Sequence, residues 1–406
     1  MGLGEDMLLA MLAPARQPTS EQFYQLRAST WPALLARASD HRMLPMLHWR
    51  DCQMGATWPV PDHVRAVWKA AYRKAAIRSL ELQRALRHLA AIFGKADIPF
   101  IALKGGWLAW HAYPEAALRP MRDIDIWVPD HLALRAYQAV LAAGGTLDLA
   151  GFSAPETAMM EAKTLPPIRC PWGNITLEIH IDITDFASTD TEDAPTMGQS
   201  DLLPDSVLDE VGGYPIRYLS PTDTLLHLMV HSALDHEFNN GPAIFDDIAF
   251  LVTRHEVDWE RLWARAEEQG WRRGCELVLA ATVYQQGPLP IEGPDGGALA
   301  VEAELIEVAL ALSLQSSDHR STITVLGERG WRRLLGRLVP KRARLAAMMG
   351  VASDNPLAWV IWPVWLVTTG WRNARGWLNP AVRLAGRRRA RLGEWLAEGG
   401  SAVRHR

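Results

Sequence analysis

The chain has 406 residues, 49% of them hydrophobic and 22% charged, and this composition excludes disordered and fibrous proteins. Its three cysteines form no CxxC pair, which excludes a disulfide framework and a zinc ribbon. The N-terminal residues carry acids where a signal peptide requires bases, so we expect a cytoplasmic protein. The net charge of −4 hides a basic segment, residues 331–406, with 15 Lys and Arg against 3 Asp and Glu. Such a segment is either a solvated helical face or a contact for a polyanion, a membrane surface or an acidic partner.

Residues 1–95 predict a helical region, because their apolar residues recur with helical spacing. Its longest run without Gly or Pro is basic, with seven Lys and Arg against Glu81 alone between Arg65 and Arg87. Residues 99–103, PFIAL, then predict a short buried strand, and the GGWLAWHAY that follows predicts a turn leading into a helix.

The middle of the chain alternates between strand and helix signals. Residues 124–129, IDIWVP, predict a second strand, and residues 131–145 predict a helix that ends at two glycines. Residues 175–183 alternate between apolar and polar side chains and predict a third strand. Residues 185–213 are acidic and contain no Lys or Arg, so we expect a solvated loop there.

Helical signals return after this loop. Residues 220–223, Ser-Pro-Thr-Asp, predict a helix start, and the helical region continues to Gln286. Residues 297–406 are again mostly helical in pattern. Their most apolar piece, residues 356–371, is interrupted by Pro363 and is shorter than the roughly twenty residues that span a bilayer. It predicts a buried helix, with an interfacial membrane helix as the alternative.

Asp123 and Asp125 lie two residues apart on a predicted strand, so their side chains point to the same face of the sheet. Two like charges held side by side repel each other, and a shared cation relieves that repulsion. Mg²⁺ prefers such oxygen ligands together with phosphate oxygens and water. An Asp-x-Asp pair alone is a weak signal, because a strand with two solvated carboxylates has the same pattern.

The Lys104-Gly105-Gly106 segment lies between a predicted strand and a predicted helix. Glycine lets the backbone approach a ligand, and a helix N-terminus presents free amides to an anion. The segment therefore predicts a contact for nucleotide phosphates, and the alternative is a tight turn with a surface lysine. Its spacing matches neither a Walker loop nor the dinucleotide G-x-G-x-x-G pattern.

Two further groups of side chains flank these motifs. Glu178, His180 and Asp182 share one face of the third strand, which either delivers a third carboxylate or simply faces water. Arg119 and Arg122 precede the aspartates, and they either bind phosphates or only balance the acids.

The helical region adds His227 and His231, four residues apart on one helical face. This spacing is compatible with a transition-metal pair. No third ligand has convincing spacing, so structural histidines are the favoured interpretation.

Taken in order, these segments resemble a known family. The chain has a strand, K-G-G, a helix with a tyrosine, R-P-M-x-D-I-D-I-x-V and a later L-E-I-H. L-S-P-T-D-T-L-L-H-L-x-x-H-x-x-x-x-H and D-D-I-A follow. This order and spacing are similar to those of a large nucleotidyltransferase family that carries an LKG motif and a DNA polymerase beta-like fold. The resemblance covers roughly residues 20–290.

The resemblance implies an α+β fold, in which a nucleotidyltransferase-type mixed sheet is flanked by N-terminal and C-terminal helical regions. We accordingly predict an N-terminal helical region over residues 1–95 and a catalytic core over residues 96–219. A helical region completing the cleft would cover residues 220–290, and a basic helical region would cover residues 291–406.

By position, the resemblance implies that Asp123 and Asp125 are the metal-binding pair. It gives Glu178 as the third carboxylate, with Asp182 on the same face as the alternative. It also places His231, His236 and Asp247 in matching positions, as parts of a cleft wall without an assigned role.

Gly105 and Gly106 occupy the place of the glycine-serine turn that holds the triphosphate in better-known relatives. This chain has no serine there, and Lys104 is the candidate substitute as a phosphate contact. Arg119 or Arg122 would join these residues in neutralising the β and γ phosphates.

These residues predict a nucleotidyltransferase that uses Mg²⁺ or Mn²⁺ and transfers NMP from an NTP such as ATP to a hydroxyl acceptor. The acceptor stays open among a modified peptide, a protein side chain, a hydroxylated metabolite and RNA. RNA is less favoured, because the basic residues lack interleaved aromatic side chains. The alternative function is a catalytically silent module of the same fold that binds a nucleotide or a partner.

Overall fold

A computed structural model of the protein gives the positions of most of the chain. The residues described are 3–15, 17–26, 29–147, 164–181, 183, 202–211, 213–315, 322–323, 326, 345, 356–367 and 378–403.

The N-terminal region consists of helices, as its apolar spacing predicts. The last and longest of them buries a stripe that includes Trp68, Leu82 and Phe93, while its opposite face meets solvent. Burial of this stripe, more than intrinsic helix propensity, stabilises so long a helix. The helices are α1 (Leu3–Leu12), α2 (Ser20–Tyr24), α3 (Thr30–Asp40), α4 (Leu44–Gln53) and α5 (Asp62–Lys95).

Within the described residues a mixed sheet of seven strands follows, which confirms the predicted α+β fold. Its spatial order is β3-β4-β5-β2-β1-β7-β6. The β2–β5 and β1–β7 pairs are parallel, and the other neighbours are antiparallel. The strands are β1 (Ile101–Ala102), β2 (Asp123–Trp127), β3 (Thr146–Leu147), β4 (Ile168–Cys170), β5 (Ile175–His180), β6 (Val207–Val211) and β7 (Tyr214–Tyr218).

The prediction of a loop over residues 185–213 is wrong at its end, because β6 begins at Val207. Residues 207–210 of β6 are exposed, so this edge strand lacks the apolar alternation that identifies a half-buried strand. Its partner β7 supplies the hydrogen bonds, and Gly213 between the two strands adopts a φ of 86° that favours glycine.

Helices pack around this sheet and complete a common hydrophobic core with it. The helix start predicted at Ser220 is confirmed, since Ser220 Oγ accepts a hydrogen bond from the Asp223 amide at 3.0 Å. A short π-helix, His231–Asp235, continues from that helix. The helices are α6 (Gly105–His111), α7 (Asp130–Ala142), α8 (Pro221–Val230), α9 (Ala243–Arg254), α10 (Trp259–Glu268), α11 (Arg272–Gln286), α12 (Ala303–Ser313) and α13 (Pro380–Val403). Short 3₁₀ turns lie at Ala116–Leu118, Pro294–Gly296 and Pro356–Ile361.

The helix predicted over residues 356–371 is confirmed in part, but its burial is wrong for the described residues. Pro356–Ile361 is a 3₁₀ turn, residues 362–367 are α-helical, and residues 368–371 lie outside the described part of the chain. Leu357 and Val360 are exposed, whereas Trp362 and Trp365 pack on the buried Leu345. Among the described helices, none combines the length and apolarity needed to cross a membrane.

A buried carboxyl on α9 makes the stability of this fold depend on pH. Burial raises the pKa of Asp246 to about 6, although Arg50, at 3.4 Å, and a hydrogen bond from Gln286, at 3.0 Å, oppose the shift. Because the folded-state pKa lies above the unfolded one, the contribution of this group to the free energy of unfolding is full at low pH. That contribution is lost as pH rises through about 6.

We therefore expect the free energy of unfolding of the wild-type protein to fall by roughly 2 kcal/mol, relative to Asp246→Asn, between about pH 4 and pH 7. Urea titration of both proteins at the two pH values measures this difference. Parallel pH profiles would show that Asp246 is ionised in the folded protein throughout.

Candidate metal and nucleotide site

The two central parallel strands bring the predicted carboxylates together. Asp125 of β2 lies directly beside Glu178 of β5, and Asp123 lies beside Thr176. Along both strands, buried apolar side chains alternate with partly exposed polar ones. The acids therefore share the face that is not buried in the core, as the two-residue period predicts.

Asp125 is the centre of this group. Its Oδ1 accepts a hydrogen bond from Lys104 Nζ at 3.1 Å and lies 2.9 Å from His180 Nε2. The other ring nitrogen of His180 lies 3.1 Å from Thr164 Oγ1, which fixes the ring orientation. Asp125, Glu178 and His180 each offer one ligand atom, and these atoms lie within 4.8 Å of one another.

The electrostatics of the group show an excess of negative charge. Burial raises the pKa of Asp123, and the neighbouring Asp125 raises it further. Burial also raises the pKa of Glu178, with added repulsion from both aspartates. Asp125 behaves differently: burial opposes its ionisation, but Lys104 and His180 outweigh burial and hold its pKa well below the usual range. A further cation would stabilise the ionised forms of Asp123 and Glu178.

The three residues that could hold a metal ion include one that the sequence did not predict as a ligand. That residue is His180, whereas Asp123 lies on the same strand as Asp125 but outside the three-residue cluster. The sequence placed His180 on the same face as Glu178 but gave no reason to choose it as a ligand. Asp182, the alternative third carboxylate, lies outside the described residues.

Lys104 has an unusual backbone that aims its side chain at the carboxylates. Its φ of 45° and ψ of −117° lie in a region that non-glycine residues rarely adopt. Strain of this kind persists only where the surrounding structure enforces it. Here Leu103 donates to the Asp125 carbonyl oxygen at 3.0 Å, and Gly106 donates to the Leu103 carbonyl oxygen at 2.9 Å. The turn is thus tied to the strand that carries Asp125.

The two glycines of the turn differ in the space around them. A Cβ on Gly105 would lie 2.3 Å from Met121 Sδ and 2.7 Å from Arg119 Nη1, whereas one on Gly106 would lie 3.4 Å from Ala102 Cβ. Alanine at position 105 would therefore force Met121 and Arg119 to shift, whereas alanine at position 106 would fit with little adjustment.

We expect Gly105→Ala to lower the free energy of unfolding by about 1–3 kcal/mol, and Gly106→Ala to change it by under about 1 kcal/mol. Urea titration of the two variants measures the difference, with Gly106→Ala as the matched control. Equal losses would mean that Met121 and Arg119 can move aside without cost.

Arg119 forms an ion pair with Asp247 of α9. Its Nε and Nη2 donate to the two carboxylate oxygens of Asp247, each at 3.0 Å, and Tyr113 donates to the same carboxylate at 2.7 Å. The Asp247 charge, opposed by burial, raises the pKa of Arg119 further. Only Nη1 is turned toward Gly105. Arg122 is exposed, and among the described contacts none joins its guanidinium to the carboxylates.

Three predicted histidines contact one another through their rings, and of these His227 is buried, His231 is half-buried and His236 is exposed. The His227 and His231 rings are 5.9 Å apart, and the His231 and His236 rings are 4.3 Å apart. Burial and then the Lys104 charge lower the pKa of His227 to about 3, and the same two causes lower that of His231 well below its usual value. Within the described residues these rings join no group of three metal ligands, which favours their structural interpretation.

The residues of this site lie within the part of the chain that matches a known family. Comparison with models of protein families matches residues 27–284 to a family described as an uncharacterised nucleotidyltransferase. The match spans α3 to α11 and includes the turn, both central strands and the three histidines. Comparison with curated proteins gave no significant match. With more than half of its length matched, the chain belongs to the uncharacterised nucleotidyltransferase family.

Proposed function

We propose that this protein transfers NMP from an NTP to a hydroxyl acceptor in a reaction that requires Mg²⁺ or Mn²⁺. The observation that carries the proposal is the group of Asp125, Glu178 and His180, whose ligand atoms lie within 4.8 Å of one another beside Lys104. Family membership supplies the reaction class. The nucleotide and the acceptor are chosen by surfaces outside this group.

The residues present fit a divalent cation. Two carboxylates and one imidazole are donors that Mn²⁺ accepts readily, and the carboxylates alone suit Mg²⁺. Burial, and then repulsion among the acids, raises the pKa values of Asp123 and Glu178, and a cation held by these residues would oppose both effects. Asp125, Glu178 and Asp123 would hold it, with His180 or Asp182 completing the set. When bound, such a cation polarises the α-phosphate and lowers the pKa of the acceptor hydroxyl.

The chain's own side chains then bind and position the reactants. Lys104, the amides of the Gly105-Gly106 turn and Arg122 would neutralise the β and γ phosphates, and Nη1 of Arg119 would reach the same turn. The acceptor oxygen bonds to the α-phosphorus as the bond to the bridging oxygen breaks, and pyrophosphate leaves. The hydroxyl proton passes to Glu178 or Asp182.

Lys104 has a double role in this proposal, because without a nucleotide it neutralises Asp125. We expect Lys104→Met to bind Mn²⁺ about tenfold more tightly in the absence of NTP, since about 1.4 kcal/mol of charge repulsion corresponds to that factor. The same variant should bind NTP about tenfold more weakly, because a phosphate contact is lost. Calorimetric titrations of the metal and of the nucleotide measure both changes. Weaker Mn²⁺ binding by Lys104→Met, both with and without NTP, would contradict the proposal that Lys104 competes with the metal for Asp125.

The proposal as a whole is tested by pyrophosphate release from each NTP with Mg²⁺ or Mn²⁺ and a set of hydroxylated acceptors. We expect metal-dependent release that disappears in the double variant Asp123→Ala plus Asp125→Ala. Asp130→Ala, which changes an exposed aspartate at the start of α7, is the control and should keep full release. Undiminished release by the double variant would remove these carboxylates from the reaction.

A further inference from the structure

Helix α5 presents a regular exposed stripe that the proposed reaction does not use. Its six members follow one another at intervals of three or four residues, and a helix turns by about 100° per residue, so they share one face about 27 Å long. All six are exposed: Lys69, Arg73, Ile77, Leu80, Arg84 and Arg87. This set is called the basic stripe below.

The charged residues of the basic stripe are all positive. Four of its members are cations and none is an acid. Within the described part of the chain, these four cations form no ion pair. The nearby Glu81 lies beside the stripe and pairs with Arg78 at 3.0 Å. The stripe therefore offers unneutralised positive charge to a partner.

The centre of the basic stripe is apolar. Ile77 and Leu80 lie one turn apart and are 63% and 66% exposed, with cations on both sides. An apolar centre with a charged rim is the usual anatomy of a protein interface. A nucleic acid would not bury this pair against its phosphates.

The aromatic residues of α5 also argue against a nucleic acid partner. Trp68 and Phe93 are buried, and Tyr72 is partly buried with its hydroxyl donated to Glu115. No ring is therefore placed on the stripe to stack on bases, as proteins that bind single strands require.

We infer that the basic stripe is a docking surface for an acidic amphipathic helix of another polypeptide. Apolar residues of that helix, spaced by three and four, would cover Ile77 and Leu80, and its carboxylates would face Arg73 and Arg84. Such a contact goes beyond the proposed reaction and does not depend on it.

Helix α5 contacts the start of β2, so a partner docked on it would lie near the candidate metal and nucleotide site. On the inner side of the helix, Arg78 donates to the carbonyl oxygens of Arg122, at 3.1 Å, and Asn174, at 2.7 Å. Arg122 immediately precedes Asp123, so the helix crosses the start of the strand that carries both aspartates. A docked partner would lie about one helix diameter, ~10 Å, from that strand. Docking would thereby raise the local concentration of any acceptor group the partner carries.

The test is fluorescence anisotropy of the full-length protein without metal or nucleotide. The probes are a labelled peptide of about 18 residues, with Leu at helical spacing among Glu residues, a scrambled peptide of the same composition, and oligo-uridine of equal length. We expect the amphipathic peptide to bind more tightly than both other probes. Arg73→Glu should weaken its binding roughly tenfold. Lys74→Glu, the adjacent exposed cation outside the stripe, should weaken it less than about threefold.

Several outcomes would overturn the inference. Equal losses of peptide affinity in Arg73→Glu and Lys74→Glu would mean that the peptide responds to positive charge in general and not to the basic stripe. Tighter binding of oligo-uridine than of the amphipathic peptide would assign the stripe to nucleic acid. Self-association in sedimentation that Arg73→Glu abolishes would assign it to a second copy of the chain. Because Arg73 and Lys74 are exposed, the Arg73→Glu and Lys74→Glu variants should stay folded. Peptide binding should also persist in Asp123→Asn plus Asp125→Asn, which separates this inference from the proposed reaction.

Discussion

In the proposed reaction, Asp125→Asn should lower metal-dependent NMP transfer roughly a thousandfold, because a neutral amide at this position would remove several kcal/mol of transition-state stabilisation. The same change should also destabilise the metal-free protein by about 2–4 kcal/mol. Lys104 and His180 both contact Asp125 Oδ1, and the change replaces the charged carboxylate that faces the largely buried ammonium of Lys104 by a neutral amide. Transfer assays and urea titration in the presence of a chelator measure the two effects.

Asp123→Asn is the matched control for this prediction. Burial and repulsion from Asp125 raise the pKa of Asp123, so its ionised form costs folding free energy at neutral pH. Neutralising it should leave the metal-free protein as stable as the wild type or more stable, while transfer still falls. If Asp123→Asn and Asp125→Asn destabilise the protein equally, Asp125 is not the centre of the group.

A second large effect is expected on the free energy of unfolding. Asp247→Ala should lower the free energy of unfolding by about 3–5 kcal/mol, because it leaves a buried guanidinium and a buried tyrosine hydroxyl unpaired. The three side chains join the turn region to α9 through contacts of 2.7–3.0 Å among Asp247, Arg119 and Tyr113. Urea titration of the variant and the wild-type protein measures the loss.

The control variant for Asp247→Ala removes one carboxylate from an exposed ion pair. Glu267 contacts Arg272 at 3.2 Å, and both side chains are largely in water. Glu267→Ala should cost less than about 1 kcal/mol. A comparable cost for Asp247→Ala would mean that the Arg119–Asp247 pair is not a structural link between the helical region and the turn.

The central features of the site follow local rules and could be predicted from the sequence. Side chains two apart on a strand share a face, which placed Asp123 with Asp125 and Glu178 with His180. The parallel pairing of β2 with β5 does not follow from any local pattern, because about fifty residues separate the strands. That pairing brings Glu178 and His180 beside Asp125.

Contacts between residues that are distant in the sequence explain the features that local sequence patterns did not predict. Arg119 stands close to the aspartates in sequence and so predicts a phosphate contact, but Asp247, 128 residues away, holds two of its nitrogens. The edge strand β6 is exposed and acidic, and only its pairing with β7 makes it a strand. The apolar segment at Pro356 predicts burial, yet burial depends on how the segment packs against the rest of the chain, and Leu357 and Val360 are exposed.

The most direct test of the metal site needs no acceptor. Electron paramagnetic resonance can follow the binding of Mn²⁺ to the protein in the presence of a non-hydrolysable NTP analogue. We expect the wild-type protein to bind Mn²⁺ roughly a hundredfold more tightly than Asp123→Asn plus Asp125→Asn, a difference of about 2.7 kcal/mol. Equal Mn²⁺ affinity in the wild-type protein and a folded double variant would contradict a metal and nucleotide site at these carboxylates.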